Sequence, residues 1–138
     1  MKLSLFTPCA ALCALVLTSL APPAHAQATS TAELLAAYTA QAKAPASVER
    51  GDAFFNKKFG RDFDSCAACH GAVPVKNGKD LVSEKLIPPL APAAHPARFT
   101  DRSKVDYRFR INCKDVVGRE CSAGEKADLL SWLLSLKP

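Results

Sequence analysis

Residues 66–71 read Cys-Ala-Ala-Cys-His-Gly, and no other stretch restricts the chain so tightly. A Cys-x-x-Cys-His run is the attachment signal for c-type haem. The spacing follows from the chemistry. Two thiols one helical turn apart add to the two vinyl groups on one edge of a porphyrin, and the adjacent histidine then reaches the iron from one side. Cys66 and Cys69 are the expected thioether positions. His70 is the expected proximal ligand, with Nε2 on iron and Nδ1–H donated to a backbone carbonyl. Two other uses of the motif compete. A thioredoxin-like redox pair needs a βαβ setting, and none is visible. A zinc site wants four ligands, and no second His/Cys pair has finger-like spacing. The expectation is one covalently attached haem c (heme c) and its iron.

The sequence around the motif fits export. Lys2 gives a positive start, Leu12 to Leu20 form a short apolar run, and Ala24 and Ala26 put small residues where a signal peptidase reads. Residues 1–26 are therefore expected to be a cleaved secretory signal, leaving 27–138 as the haem domain in the bacterial periplasm. The run is too short to span a bilayer. Twin arginines are absent, and neither Cys9 nor Cys13 has a lipoprotein-type approach. Losing Lys2 leaves 17 basic against 13 acidic residues. That mild excess suits acidic partners or membrane surfaces and argues against nucleic acid. Four cysteines remain, Cys66, Cys69, Cys113 and Cys121. An even number in an oxidising compartment points to thiols that are paired or covalently used. A domain this small gains from a bulky cofactor or a crosslink.

Four helices are expected. Ser30 and Glu33 form a capping box before Leu34, Leu35 and Tyr38, and that helix should stop before Pro45. Ser47 opens a second, carrying Val48, Gly51, Phe54 and Phe55. A third should run from about Asp101, capped by Thr100, to about Ile111. Ser122 and Glu125 form a second capping box, followed by the apolar face of Leu129, Leu130, Trp132, Leu133 and Leu136. Trp132 is expected to pack on Gly51 and Phe55, and Tyr107 to face solvent. Residues 71–99 carry Pro74, Pro88, Pro89, Pro92 and Pro96, which forbid a long helix. Nothing reads as a strand, and a structureless connection of this length is unusual unless it wraps something. The expected fold class is all-α, about four helices around one haem.

The second axial position is the open question. Cytochromes c commonly use methionine there, but the only methionine is Met1. His95, a lysine or no residue at all could take its place; His95 in its proline-rich loop reads more simply as a surface residue. On the third helix Val105, Phe109 and Asn112 share one face. If the first two pack on the haem plane, Asn112 points the same way from the helix end. A disulfide between Cys113 and Cys121 would close a short loop behind it, while the competing use makes Cys113 a thiolate ligand.

Several segments together carry a family likeness: Cys66–Gly71, Lys85–Pro92, Arg98–Asp101, Asn112-Cys113, Gly118-Arg119-x-Cys121 and Gly124–Leu130. They resemble the sphaeroides haem protein family of small class I c-type cytochromes, over nearly all of residues 27–138. The sequence departs from that pattern around Val73 to Ser83. The resemblance implies a class I cytochrome c-like fold and makes Asn112 the sixth ligand in the oxidised state. It places the family's disulfide on Cys113 and Cys121. It also implies that reduction releases the asparagine and opens the iron to O2, NO or CO. The Pro88-Pro89-Leu90 stretch resembles the Pro-x-Leu region whose carbonyl receives the proximal histidine in class I cytochromes, with Pro89 the candidate at the haem. Lys85 and Arg98 are candidates for the haem propionates by the same likeness.

Two functions follow from the resemblance. One is an electron carrier for a multihaem or membrane cytochrome, docking through the basic segment between Arg98 and Arg119. The other is an O2- or NO-binding haem protein, a sensor or an enzyme turning nitric oxide into nitrate (a nitric oxide dioxygenase).

Overall fold

The computed structural model describes residues 28–138; the expected signal peptide lies outside the described residues. Five helices and one small hairpin follow in order: α1 Thr31–Ala42, α2 Val48–Asn56, α3 Cys66–His70, β1 Gly78–Lys79, β2 Leu86–Ile87, α4 Arg102–Val117 and α5 Ala123–Ser135. No helix among the described residues is long and apolar enough to cross a membrane.

Both expected capping boxes form. Ser30 and Glu33 exchange hydrogen bonds at the start of α1, and Ser122 and Glu125 do the same at α5. Ser47 caps α2 by accepting from the Arg50 amide at 3.1 Å. Helix α1 ends at Lys43, in left-handed backbone, two residues before Pro45.

Three expectations need correction. The cap of α4 is Asp101, not Thr100: the Asp101 carboxylate accepts from the Lys104 amide at 3.0 Å. Helix α4 also continues past Ile111 to Val117. It stops at Gly118, whose φ of 82° lets its amide turn back to the carbonyls of Cys113 and Lys114. Asn112 therefore sits inside α4, more than a turn before its end. Finally, residues 71–99 do contain strand, since Gly78–Lys79 pairs antiparallel with Leu86–Ile87. The turn between them is built by Asp80, whose carboxylate accepts from the Val82 and Ser83 amides.

Helix α5 is the centre of the packing. Leu130 and Ala127 join Leu34, Tyr38 and Val105 in one cluster; Leu129, Trp132 and Leu133 join Phe55 in another. Trp132 stacks obliquely on Phe55, ring centroids 4.8 Å apart. Tyr107 faces solvent, as expected. Gly51 lets α2 and α5 touch backbone to backbone: a Cβ there would collide with the Asp128 carbonyl and come within 2.8 Å of the Trp132 Cβ. The same crossing is pinned by the buried Asp128 carboxylate, which accepts from the Ser47 amide and from Nε and Nη2 of Arg50, each at 2.7 Å.

Candidate haem site

Helix α3 is the Cys-Ala-Ala-Cys-His segment itself. Its start is fixed by Ser65, whose hydroxyl accepts from the Ala68 amide at 3.1 Å. It lasts five residues and stops at Gly71, φ 78°. This single turn brings Cys66, Cys69 and His70 to one wall of a cavity of about 690 Å³, within the roughly 300–1,000 Å³ typical of cofactor sites.

The opposite parts of the chain complete the wall. Helix α4 contributes Val105, Arg108, Phe109, Asn112, Cys113 and Val116; α5 contributes Leu129 and Leu133; Phe54 and Phe55 come from α2. Leu86, Ile87, Pro88 and Leu90 close the hairpin side, and Phe63, Arg98, Phe99 and Lys104 also reach the wall. The lining is largely apolar and aromatic, with Arg98 and Arg108 as cationic groups near it; Lys104 also reaches the wall but pairs with Asp101 at 3.2 Å.

These residues fit a covalent haem. Cys66 and Cys69 are unpaired thiols facing the cavity. Burial pushes the Cys66 thiol up to about 11. A redox-active Cys-x-x-Cys shows the reverse, a thiol held low by nearby positive charge. Burial, helped by the positive charge of Arg98, lowers the His70 imidazole to about 4. It is therefore neutral at physiological pH, the form that ligates a metal. Among the described residues, no group of three or more His, Cys, Asp or Glu is placed to hold a metal ion.

Arg98 organises the segment next to His70. Its Nε donates to the Pro89 carbonyl at 2.7 Å and its Nη2 to the Pro88 carbonyl. The guanidinium thus fixes the Pro-Pro turn that faces the proximal side. A carbonyl oxygen has two lone pairs, so either proline keeps acceptor capacity for His70. Pro88 lines the cavity; Pro89 lies off its wall. Lys85 stands exposed on the hairpin turn, also off the wall, where its carbonyl accepts from the Asp80 amide at 2.9 Å. His95 is half-buried in its loop and does not line the cavity.

Asn112, Cys113 and Cys121 meet on the other side. Cys113 and Cys121 are joined as a disulfide, Cα atoms 5.6 Å apart, both buried. The bond ties the last turn of α4 to the residues leading into α5. The Arg61 Nε donates to the Asp115 carbonyl at 3.1 Å and caps the same turn. Replacing both cysteines by serine is expected to cost about 2–3 kcal/mol, the loop entropy of an eight-residue separation. Thermal unfolding of the holoprotein should drop by roughly 10–20 °C.

Phe63, Phe99 and Arg108 were not anticipated at the site. Phe63 stands three residues before Cys66, so nearness to the motif was an available signal. Phe99 lines the cavity from left-handed backbone, φ 60°, a conformation that no residue pattern announces.

Known proteins match this arrangement. Residues 41–133 match the family described as "Domain of unknown function (DUF1924)". The cytochrome c-type protein SHP of Cereibacter sphaeroides is 50% identical over 117 residues, covering 83% of this chain and 90% of that protein. The structure of oxidised SHP, an oxygen-binding cytochrome c, superposes with a TM-score of 0.75 at 46% identity, over 79% of this chain and 99% of that one. The solution structure of Methylophilus methylotrophus cytochrome c'', described in terms of haem-ligand detachment, gives 0.69 at 38% identity, over 78% and 94%. Motif, cavity and likeness over most of its length agree: the chain belongs to the DUF1924 family, as a homologue of SHP with the class I cytochrome c fold and a covalently bound haem c.

Proposed function

We propose that the protein is an exported monohaem electron carrier whose haem site is gated by Asn112. The observation that carries this is that His70 and Asn112 line the same cavity. It is joined by the absence of methionine after Met1 and the position of His95 off its wall. Bound haem would supply one-electron chemistry. His70 would hold its iron as a neutral imidazole, and Asn112 would offer it a neutral carboxamide. Such a ligand is weak and hard-leaning, better suited to an oxidised than to a reduced metal. The disulfide behind Asn112 fixes the end of α4, so that release is a side-chain motion and leaves the helix in place.

Residues 1–26 serve as the removed signal in this proposal, and residues 27–138 act in the periplasm. The electron partner is another cytochrome, multihaem or membrane-bound. With Asn112 released, the iron would be open to O2, NO or CO; the relative described as an oxygen-binding cytochrome c supports the O2 part of this reading. Gas sensing or nitric oxide dioxygenation by the same site is the second reading. Lys85 and Pro89 remain proposals as haem contacts, through propionate charge and turn geometry.

The absorption spectrum tests this. The oxidised protein is expected to be low-spin. Reduction should give a high-spin spectrum that carbon monoxide shifts within mixing time. A reduced form that stays low-spin and ignores carbon monoxide would sink the gating.

A further inference from the structure

Large apolar side chains exposed to solvent are few among the described residues: Val73, Leu81, Val82, Leu86 and Tyr107. Four of these five lie within residues 73–86, the β1–β2 hairpin and the loop leading to it. Val82 is 77% and Leu86 69% exposed. Scattered single apolar residues need no explanation, but a concentration on one segment marks an interaction surface.

That segment also touches the haem-attachment helix. Gly78 lies flush on α3, where a Cβ would collide with the Cys69 carbonyl and come within 2.8 Å of the His70 Cα. Leu86 lines the haem cavity, so the hairpin meets the cofactor site there. The hairpin is therefore the piece of chain that runs from the thioether edge to solvent. Electron transfer between proteins falls steeply with distance, so a partner seated here would come close to the cofactor.

Charge selects the partner. The Asp80 carboxylate is occupied by the Val82 amide at 3.0 Å, the Ser83 amide at 2.7 Å and the Ser83 hydroxyl at 2.9 Å. Glu84 pairs with Lys79 at 3.5 Å. Lys76 and Lys85 are exposed and take part in none of the ion pairs among the described residues. Residues 73–86 carry Lys76, Lys79 and Lys85 against Asp80 and Glu84, a net charge of +1, and an apolar centre with a net basic rim complements an acidic protein face. The basic α4 face is a poorer match. Arg102 is paired with Asp106 at 3.5 Å, and the one large exposed apolar side chain there, Tyr107, lies 5.5 Å beneath Arg110. The hairpin is prebuilt, with the Glu84 amide donating to Asp80 at 3.0 Å and the Asp80 amide to Lys85 at 2.9 Å, so little ordering cost falls on docking.

We infer that residues 73–86 form the docking surface for an acidic electron-transfer protein, with Leu81 and Val82 as apolar centre and Lys76 and Lys85 at the rim. This rests on the electron-carrier reading above.

The test uses the oxidised holoprotein and reduced flavodoxin, an acidic one-electron donor, in stopped flow. One electron leaves the flavin and enters the haem. Val82→Asp and Lys76→Glu are compared with Arg110→Glu; none of the three residues lines the cavity. Each hairpin variant is expected to lower the second-order rate about tenfold at low salt and to flatten its salt dependence, while Arg110→Glu leaves both unchanged. All variants should keep the parent spectrum and its rate with dithionite, which shows an intact fold. If Arg110→Glu slows the reaction and the hairpin variants do not, the surface is misplaced. Should the parent protein sediment as a dimer that Val82→Asp dissociates, the patch is a self-association face and the inference falls. If flavodoxin fails to reduce the parent while dithionite succeeds, the electron-carrier reading fails instead.

Discussion

Asn112→His is expected to give a protein that stays low-spin on reduction, and Asn112→Ala one that is high-spin in both oxidation states. The two substitutions bracket the proposed gate. Imidazole binds both oxidation states of haem iron well, so histidine at this place on the α4 wall should not let go. Carbon monoxide affinity of the reduced form should then fall by roughly a hundredfold, about 2.8 kcal/mol. Alanine removes the donor and leaves nothing to hold the oxidised site closed. Both variants should keep the helical fold, because Asn112 lies on the cavity face of α4 and outside the two packed core clusters. Absorption and electron paramagnetic resonance spectra of both oxidation states, with and without carbon monoxide, check the pair. An oxidised Asn112→Ala protein that remains low-spin would show that another residue ligates.

The second large effect belongs to Gly51. Any Cβ there meets the Asp128 carbonyl and the Trp132 Cβ, which are backbone and backbone-proximal atoms that cannot swing aside. Helices α2 and α5 must then separate. That opens the Phe55–Trp132 contact and stretches the three hydrogen bonds of Asp128. Overpacking alone typically costs about 1–3 kcal/mol, and loosening a buried carboxylate adds to it. Gly51→Ala is expected to lose about 3 kcal/mol or more, lowering the unfolding temperature by roughly 12 °C or more. Gly51→Val should leave little haem-loaded protein. Circular dichroism melts and haem yield per milligram of chain are the measurements; a Gly51→Ala melt within a few degrees of the parent would refute the tight crossing.

What the sequence revealed depended on how local its signals were. The two capping boxes are four-residue signals, and both helices begin where Ser30 and Ser122 place them. The haem site announced itself because covalent attachment demands a fixed spacing, and the helical periodicity of Val105, Phe109 and Asn112 placed all three on the cavity wall. The errors came where neighbouring residues offered equal candidates. Thr100 and Asp101 can both cap, and only the packed geometry selects the carboxylate. The end of α4 was legible in Gly118, but the Asn-Cys pair drew the boundary six residues early. The hairpin was illegible, since two-residue strands have no alternation to detect and their pairing depends on the Asp80 turn. The role of Arg98 at the Pro88 and Pro89 carbonyls depends on how the intervening loop folds back, which no residue pattern states.

The disulfide of Cys113 and Cys121 sets a sorting problem during biogenesis. The four cysteines among the described residues allow three complete pairings, yet a porphyrin can attach only where Cys66 and Cys69 are both free thiols, and the native state adds Cys113–Cys121 closed. Short separations close fastest, which favours the eight-residue loop over any bridge between the two halves of the chain. It favours Cys66–Cys69 even more. An exported chain would therefore need an oxidant for one pair and a reductant for the other, acting before the cofactor arrives. Starved of that reductant, such cells should accumulate a doubly oxidised, colourless chain.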